Sequence, residues 1–561
     1  PDRGRQTMIK RNRSGTRRGN ALLALTAWLC LMLAGCDREV TDVAANATAG
    51  STTEEPSTPA TPGRLLTLSD SDGNPLVGAM VSVPLDERRR VTRFTDAAGQ
   101  IDLNTLTGDL SAAELRYPGL ADQTMDLTSE TTDITLAEDP DFLHALPSSE
   151  WLALLPEGDR KREFTVNCGT CHEISHDRIM LDGHPRSTEE WYAAFAMMRA
   201  MDAYEVIPPD FDDQRYSAWL AENLSAERIA TLLPAAPANA ADLSKIEITE
   251  YVLPEDNSLP HDLVTGPDGR LWITAFFYDE LWALDPHSGE IERFEVDDRD
   301  DVNAQPRALK FDDSGILWLV NGGTESVLRF DPATGDYDEI PVGMYAHSID
   351  IDPSGDIWVN DYFAAEERVA KVTAADNAVT VFQVPPAKRP ASEGLPLPYG
   401  LQVDAQGRLY STQLAAGTLV RLDTTTGKGT LFEMPLANSG PRRPGLDNNQ
   451  GLWIPEFNTG HVAYFEPTTE VFERVALGSS SIGLYDVEVN QANNDIWATG
   501  SLASTLIRYR ADSGSVLTVP LPTEPAYTRH IAVDEASGDV WTAYSSLPAA
   551  MPRVARLRFL E

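Results

Sequence analysis

Residues 354–361 read SGDIWVND, and variants of the phrase return through the C-terminal half of the chain. They stand at 268–275 (DGRLWITA), 314–321 (SGILWLVN), 406–413 (QGRLYSTQ), 450–457 (QGLWIPEF), 493–500 (NNDIWATG) and 537–544 (SGDVWTAY). The aromatic anchors fall at 272, 318, 358, 410, 453, 497 and 541, at intervals of 40 to 52 residues. A unit of that length cannot bury its apolar face alone, whereas like neighbours arranged radially can. Between anchors, stretches such as LWALDPHSGEIERFEV and VLRFDPATGDYDEIPV pair strands across D-P-x-[ST]-G turns, so each unit reads as a four-stranded blade. Seven anchors therefore predict a seven-bladed β-propeller over 245–561. Its seventh unit ends on RVARLRFL (553–560), and an orphan strand, KIEITEYVLP (245–254), precedes the first unit. Pairing the two would close the ring and remove an exposed sheet edge.

Ahead of the repeats, residues 167–175 read NCGTCHEIS and hold two of the four cysteines. A zinc site wants a second cysteine pair, which the chain lacks. A thioredoxin-type pair wants a βαβ setting, but the flanks EWLALLPEGDRKREFTVNCGTCHEIS and STEEWYAAFAMMRAM read as helices. C-x-x-C-H is the attachment signature of a c-type haem: thioethers from Cys168 and Cys171, and iron ligation by His172. Methionines at 180, 197, 198 and 201 follow. Ser187 with S-T-E-E supplies a helix start, and Trp191, Phe195 and Met198 share one face at i, i+4, i+7. Met198 is therefore the expected second iron ligand, a pairing that leaves no open position on the iron and suits electron transfer. Residues 138–236, which close on FDDQRYSAWLAENL, resemble the small class I cytochromes c, implying an all-α domain with one covalently bound haem c.

The N-terminus has a basic segment followed by an apolar run, Ala21–Ala34, the layout of a secretory signal. Leu33-Ala34-Gly35-Cys36 resembles the lipobox of bacterial lipoproteins, which implies lipidation at Cys36, a membrane anchor and a periplasmic location. Residues 37–63 are rich in Ser, Thr, Pro and Ala and read as a flexible tether. Residues 64–137 alternate as short strands with turns at Asp72-Gly73 and Ala98-Gly99. DSDGNPLVGAMVSV and TRFTDAAGQIDL resemble the carboxypeptidase regulatory-like domain, a small β-sandwich without catalytic residues, expected here as a spacer or docking module. The fold class is thus multidomain and mainly β: sandwich, helical cytochrome domain, propeller.

The propeller repeats, with W-[IV]-x-x after the blade turn, resemble the streptogramin (virginiamycin B) lyase family. That resemblance implies a magnesium-assisted lyase whose last two blades carry histidines on the innermost strand, with glutamates as metal ligands nearby. The matching positions, eleven or twelve residues before each anchor, are His261, Arg307, His347, Tyr399, Arg442, Tyr485 and Arg529. Tyr485 and Arg529 stand where the family has histidines, so its chemistry does not carry over. Second strands add Asn321, Asp361, Gln413 and Glu456 three residues after their anchors, which leaves a rearranged catalytic pair, His347 with Asp361, and a divalent metal in the propeller as expectations.

The formal net charge is −41, and cleavage before Cys36 would remove seven Lys/Arg and one acid to give −47. Such acidity argues against nucleic acid as a partner. A cluster of arginines in the channel of an anionic protein points to a small anionic ligand. No P-loop, G-x-G-x-x-G, G-x-S-x-G or H-E-x-x-H motif occurs. Three functions fit: an electron-transfer lipoprotein with a periplasmic redox partner, a periplasmic lyase or lactone hydrolase with an accessory haem, and a noncatalytic binder of an envelope ligand.

Overall fold

The structure, a computed structural model, describes residues 64–129, 133–169, 173–201, 207–297, 299, 303–389, 394–546 and 550–560. The expected signal, Cys36 and the tether lie outside these residues, as do Cys171 and His172. The repeats form six sheets of four antiparallel strands each, and a seventh blade contributes to a larger sheet. The first blade runs Pro260–Thr265, Leu271–Ala275, Glu280–Leu284 and Ile291–Glu295 from the inside outward.

One side-chain device makes the repeat phrase. In the third blade Asp352 Oδ1 accepts the backbone N–H groups of Ser354 (2.8 Å) and Asp356 (3.1 Å), which folds the turn. Its other oxygen accepts the indole N–H of Trp358 at 2.9 Å, so turn and anchor are set by one carboxylate. Gly355 within that turn has φ +84°, which a side chain would strain. Asp312 with Trp318 and Asp447 with Trp453 repeat the arrangement, and Asp404 uses the Tyr410 hydroxyl instead. Each anchor is buried in its interblade core; Trp358, for example, packs with Leu409 and Val420 of the next blade. Full burial of one such aromatic contributes about 1.5–3 kcal/mol.

The ring closes as the sequence predicts. Ile246–Val252 runs antiparallel to the final strand Ala550–Phe559, from Ile246 opposite Phe559 to Val252 opposite Arg553. The other edge of Ile246–Val252 is taken by Arg89–Phe94 of the N-terminal sandwich, from Glu247 opposite Arg93 to Tyr251 opposite Arg89. Blade seven and one sandwich sheet are thus a single eight-stranded sheet. Buried Glu250 pins the junction: its Oε2 accepts Arg90 Nε (3.0 Å) and Nη2 (2.7 Å), and its Oε1 accepts the Tyr544 hydroxyl. The sandwich core is Leu66, Leu68, Val81, Val83, Val91 and Leu115.

Between sandwich and propeller lie helices at Ser148–Ala153, Asp159–Cys168, Thr188–Ala200 and Asp213–Asn223. Ser187 caps Thr188–Ala200 with a full capping box: Ser187 Oγ accepts Glu190 N (3.3 Å) and Glu190 Oε2 accepts Ser187 N (2.8 Å). The segment is not purely helical, since Met180–Leu181 pairs with His184–Pro185 as a short ribbon. Its core, with Trp151, Phe164, Trp191, Phe195 and Trp219, is continuous with Tyr362, Tyr399, Phe457, Tyr485 and Tyr527 of the propeller.

Candidate functional site at the propeller channel

Six of the seven innermost strands break register at the same place, between Pro260 and Leu263, Pro306 and Leu309, Ala346 and Ile349, Pro398 and Leu401, Leu484 and Val487, and Thr528 and His530. A bulge re-aims side chains and frees a backbone N–H from the ladder. Second-strand side chains take up that donor: Asp262 N meets Thr274 Oγ1 (3.0 Å), Ser348 N meets Asn360 Oδ1 (2.9 Å), Gly400 N meets Thr412 Oγ1 (2.9 Å) and Asp486 N meets Thr499 Oγ1 (3.1 Å). Two successive residues of a strand can then make contacts across the channel, which gives it two tiers.

The upper tier holds the seven residues expected from the sequence. His261 and His347 lie edge to face with ring centroids 6.0 Å apart, and His347 packs on Tyr399 at 4.1 Å. Burial drives the His261 pKa down to about 3 and that of His347 well below its usual range, so both are neutral and the positive charge rests on arginines. Aromatic faces receive those arginines. Arg442 lies 3.8 Å from the ring centroid of Phe457, 4.1 Å from Tyr485 and 5.2 Å from Tyr399. Arg307 lies over Phe276 and Tyr345, each at 4.9 Å, and Arg529 over Tyr527 at 4.5 Å. The Tyr399 and Tyr485 hydroxyls are hydrogen-bonded to each other, and burial followed by the Tyr485 neighbour pushes the Tyr399 pKa well above its usual value.

The second-strand candidates are engaged elsewhere. Asp361 pairs with Arg368 (2.7 Å), and Glu456 with Arg474 and with Thr459 Oγ1 (2.7 Å). Asn321 donates to Val296 O (3.3 Å), and Gln413 donates to Glu367. No hydrogen bond joins His347 to Asp361; His347 Nδ1 faces Tyr399 O at 3.1 Å. Among the described residues, the group of three His/Asp side chains whose ligand atoms converge within 4.8 Å is His144, His176 and Asp177, which belongs to the helical segment rather than the propeller.

The helical segment caps the upper tier. Cys168 ends helix Asp159–Cys168; beside it Asn167 Oδ1 accepts Arg389 Nη2 (2.7 Å), and Gly169 O accepts the Tyr527 hydroxyl (2.9 Å). Ser149 N donates to Leu502 O (2.7 Å) and Lys161 Nζ to Ser480 Oγ (3.2 Å). On the facing helix Trp191 and Phe195 are buried and Met198 is half-buried against the same core as Cys168, while Met197 and Met201 are 53% and 69% exposed. Met180 also packs there, half-buried. Trp191 Nε1 is buried without a hydrogen-bond partner among the described residues. A thiol, a thioether and an indole N–H without a partner among the described residues thus lie around one apolar core.

The lower tier was not anticipated. Asp262, Arg443, Asp486 and His530 each follow an upper-tier residue, and with Lys310 and Glu488 they line a cavity of about 170 Å³. Arg443 Nη1 binds Asp262 Oδ2 at 2.6 Å, and His530 Nε2 lies 3.9 Å from Asp262 and 3.8 Å from Asp486. Strict alternation would turn these residues into the blade, and the bulges cancel that alternation. The available signal was an acidic, basic or histidine side chain at this position in four units, where a blade interior wants an apolar one.

No protein-family model matches the sequence, and no curated protein matches it. Among solved structures, the chain is similar over its propeller to a streptogramin B lyase, at 22% identity over 56% of this chain and 98% of that one, with a TM-score of 0.49. Virginiamycin B lyase from Staphylococcus aureus gives 18%, 56%, 100% and 0.49, and hydrazine synthase from Kuenenia stuttgartiensis gives 13%, 52%, 94% and 0.42.

Proposed function

We propose that this chain is a lipid-anchored periplasmic c-type cytochrome whose propeller presents a small ligand, as substrate or as part of a redox partner, beneath the haem-bearing segment. The observation that supports the reading is the hydrogen bond from the Tyr527 hydroxyl to Gly169 O, which holds the residue after Cys168 against the propeller. When bound, haem c supplies reversible one-electron transfer. The chain's own contribution is placement. Tyr527 holds the backbone at Gly169 and Arg389 holds the Asn167 side chain, one on each side of Cys168, and the arginine–aromatic tier beneath offers buried positive charge for an anionic ligand. A lyase working through His347 and Asp361 would first have to free Asp361 from Arg368.

Two measurements test this reading. Cys168→Ala with Cys171→Ala should abolish haem stain on a denaturing gel; retained stain would refute covalent attachment at this motif. Small organic acids and alcohols are then screened for reduction of the oxidised haem. Turnover that leaves the haem oxidised and stops on adding a chelator would favour the lyase reading instead.

A further inference from the structure

We propose that the lower tier of the channel is a binding site for a small carboxylate, held side-on by Arg443. Arg443 is 6% exposed, and its Nη1 is committed to Asp262. Its Nε and Nη2, the two donors of the opposite edge, are buried without a partner among the described residues. Two parallel N–H groups match the two oxygens of a carboxylate, the strong bidentate pairing of this side chain. Buried N–H donors left without an acceptor are costly, so this edge calls for an occupant.

The fork is also rigidly aimed. Arg443 N donates to Tyr485 O (3.2 Å) and Arg443 O accepts Val487 N (3.1 Å), a parallel bridge onto the next blade. The cavity of about 170 Å³ admits a molecule of a few heavy atoms. Its charges favour a monoanion over a phosphate dianion. Arg443 with Asp262, and Lys310 with Asp350, cancel in pairs, and what remains facing the ligand is His530, Asp486 and Glu488. Burial raises Asp486 to about 6 and Glu488 to about 7, so Glu488 is half protonated near neutral pH, Asp486 gains its proton as the pH falls through 6, and binding of an anion should strengthen on mild acidification. His530, whose Nδ1 is buried and without a partner among the described residues, is another lining residue of the cavity.

The inference rests on reading the channel as a ligand site but not on the haem. Isothermal titration of the full-length holoprotein with acetate and glycolate tests it independently of haem staining or reduction. The expected result is one saturable site, at least about tenfold weaker in Arg443→Lys, which keeps the charge near Asp262 but loses the fork. Inorganic phosphate should not compete. Ala308→Val, which narrows the cavity without touching a charge, should also weaken binding and serves if Arg443→Lys does not fold. No saturable heat with either acid, undiminished affinity in both variants, or equal competition by phosphate would overturn the proposal.

Discussion

A single methionine tests the proposed ligation of haem iron. Met198 shares the buried face of Trp191 and Phe195, whereas Met197 and Met201 are exposed. Met198→Ala should therefore let carbon monoxide bind the reduced haem, and Met197→Ala should not; gas binding in Met201→Ala instead would move the ligand by a turn. Gly400 makes a second sharp case. A Cβ there would lie 2.6 Å from Arg442 O and 2.8 Å from Arg443 Cα, so Gly400→Ala must displace the two arginines. We expect a loss of about 1–3 kcal/mol in chemical denaturation together with weakened glycolate binding. The Met198 face was legible because helix spacing alone sets it. The crowding at Gly400 was not, because it depends on a neighbouring blade.

Blades carry their own titration. Glu367, just ahead of strand Arg368–Val372, accepts hydrogen bonds from Ser411 and Gln413 of the next blade, and burial raises its pKa to about 8. The folded state thus keeps a proton that the unfolded chain has released. This contribution is complete below about 4.5 and lost as pH rises to about 8, with a slope of at most about 1.4 kcal/mol per pH unit. Glu367→Gln should flatten the fall in urea midpoint between pH 5 and 8; an unchanged slope would show that Glu367 is ionised throughout. At the junction with the sandwich, Glu250→Ala leaves Arg90 without its buried partner and should cost about 3 kcal/mol in the same assay. The anchors at 40 to 52 residues announced the blades and their closing strand. Nothing in KIEITEYVLP announced a second neighbour, because an edge strand and a shared one have the same local pattern.

For the whole molecule, the expected anchor at Cys36 predicts that Cys36→Ser moves the protein from the membrane fraction to the soluble periplasm; continued sedimentation with membranes would refute lipidation. The propeller was readable because its repeats encode it. The two-tiered channel and the seating of the helical segment on it came from bulges and long-range packing, which a linear pattern does not carry. The eight-stranded sheet also has a consequence in time. Its strand Ile246–Val252 can pair with Arg89–Phe94 as soon as the N-terminal half has been synthesised, whereas Ala550–Phe559, its other partner, emerges after every other blade strand. During synthesis the sandwich would hold one edge of that strand while the other waits open, a half-finished seam that a late-arriving segment must enter between two strands already in place.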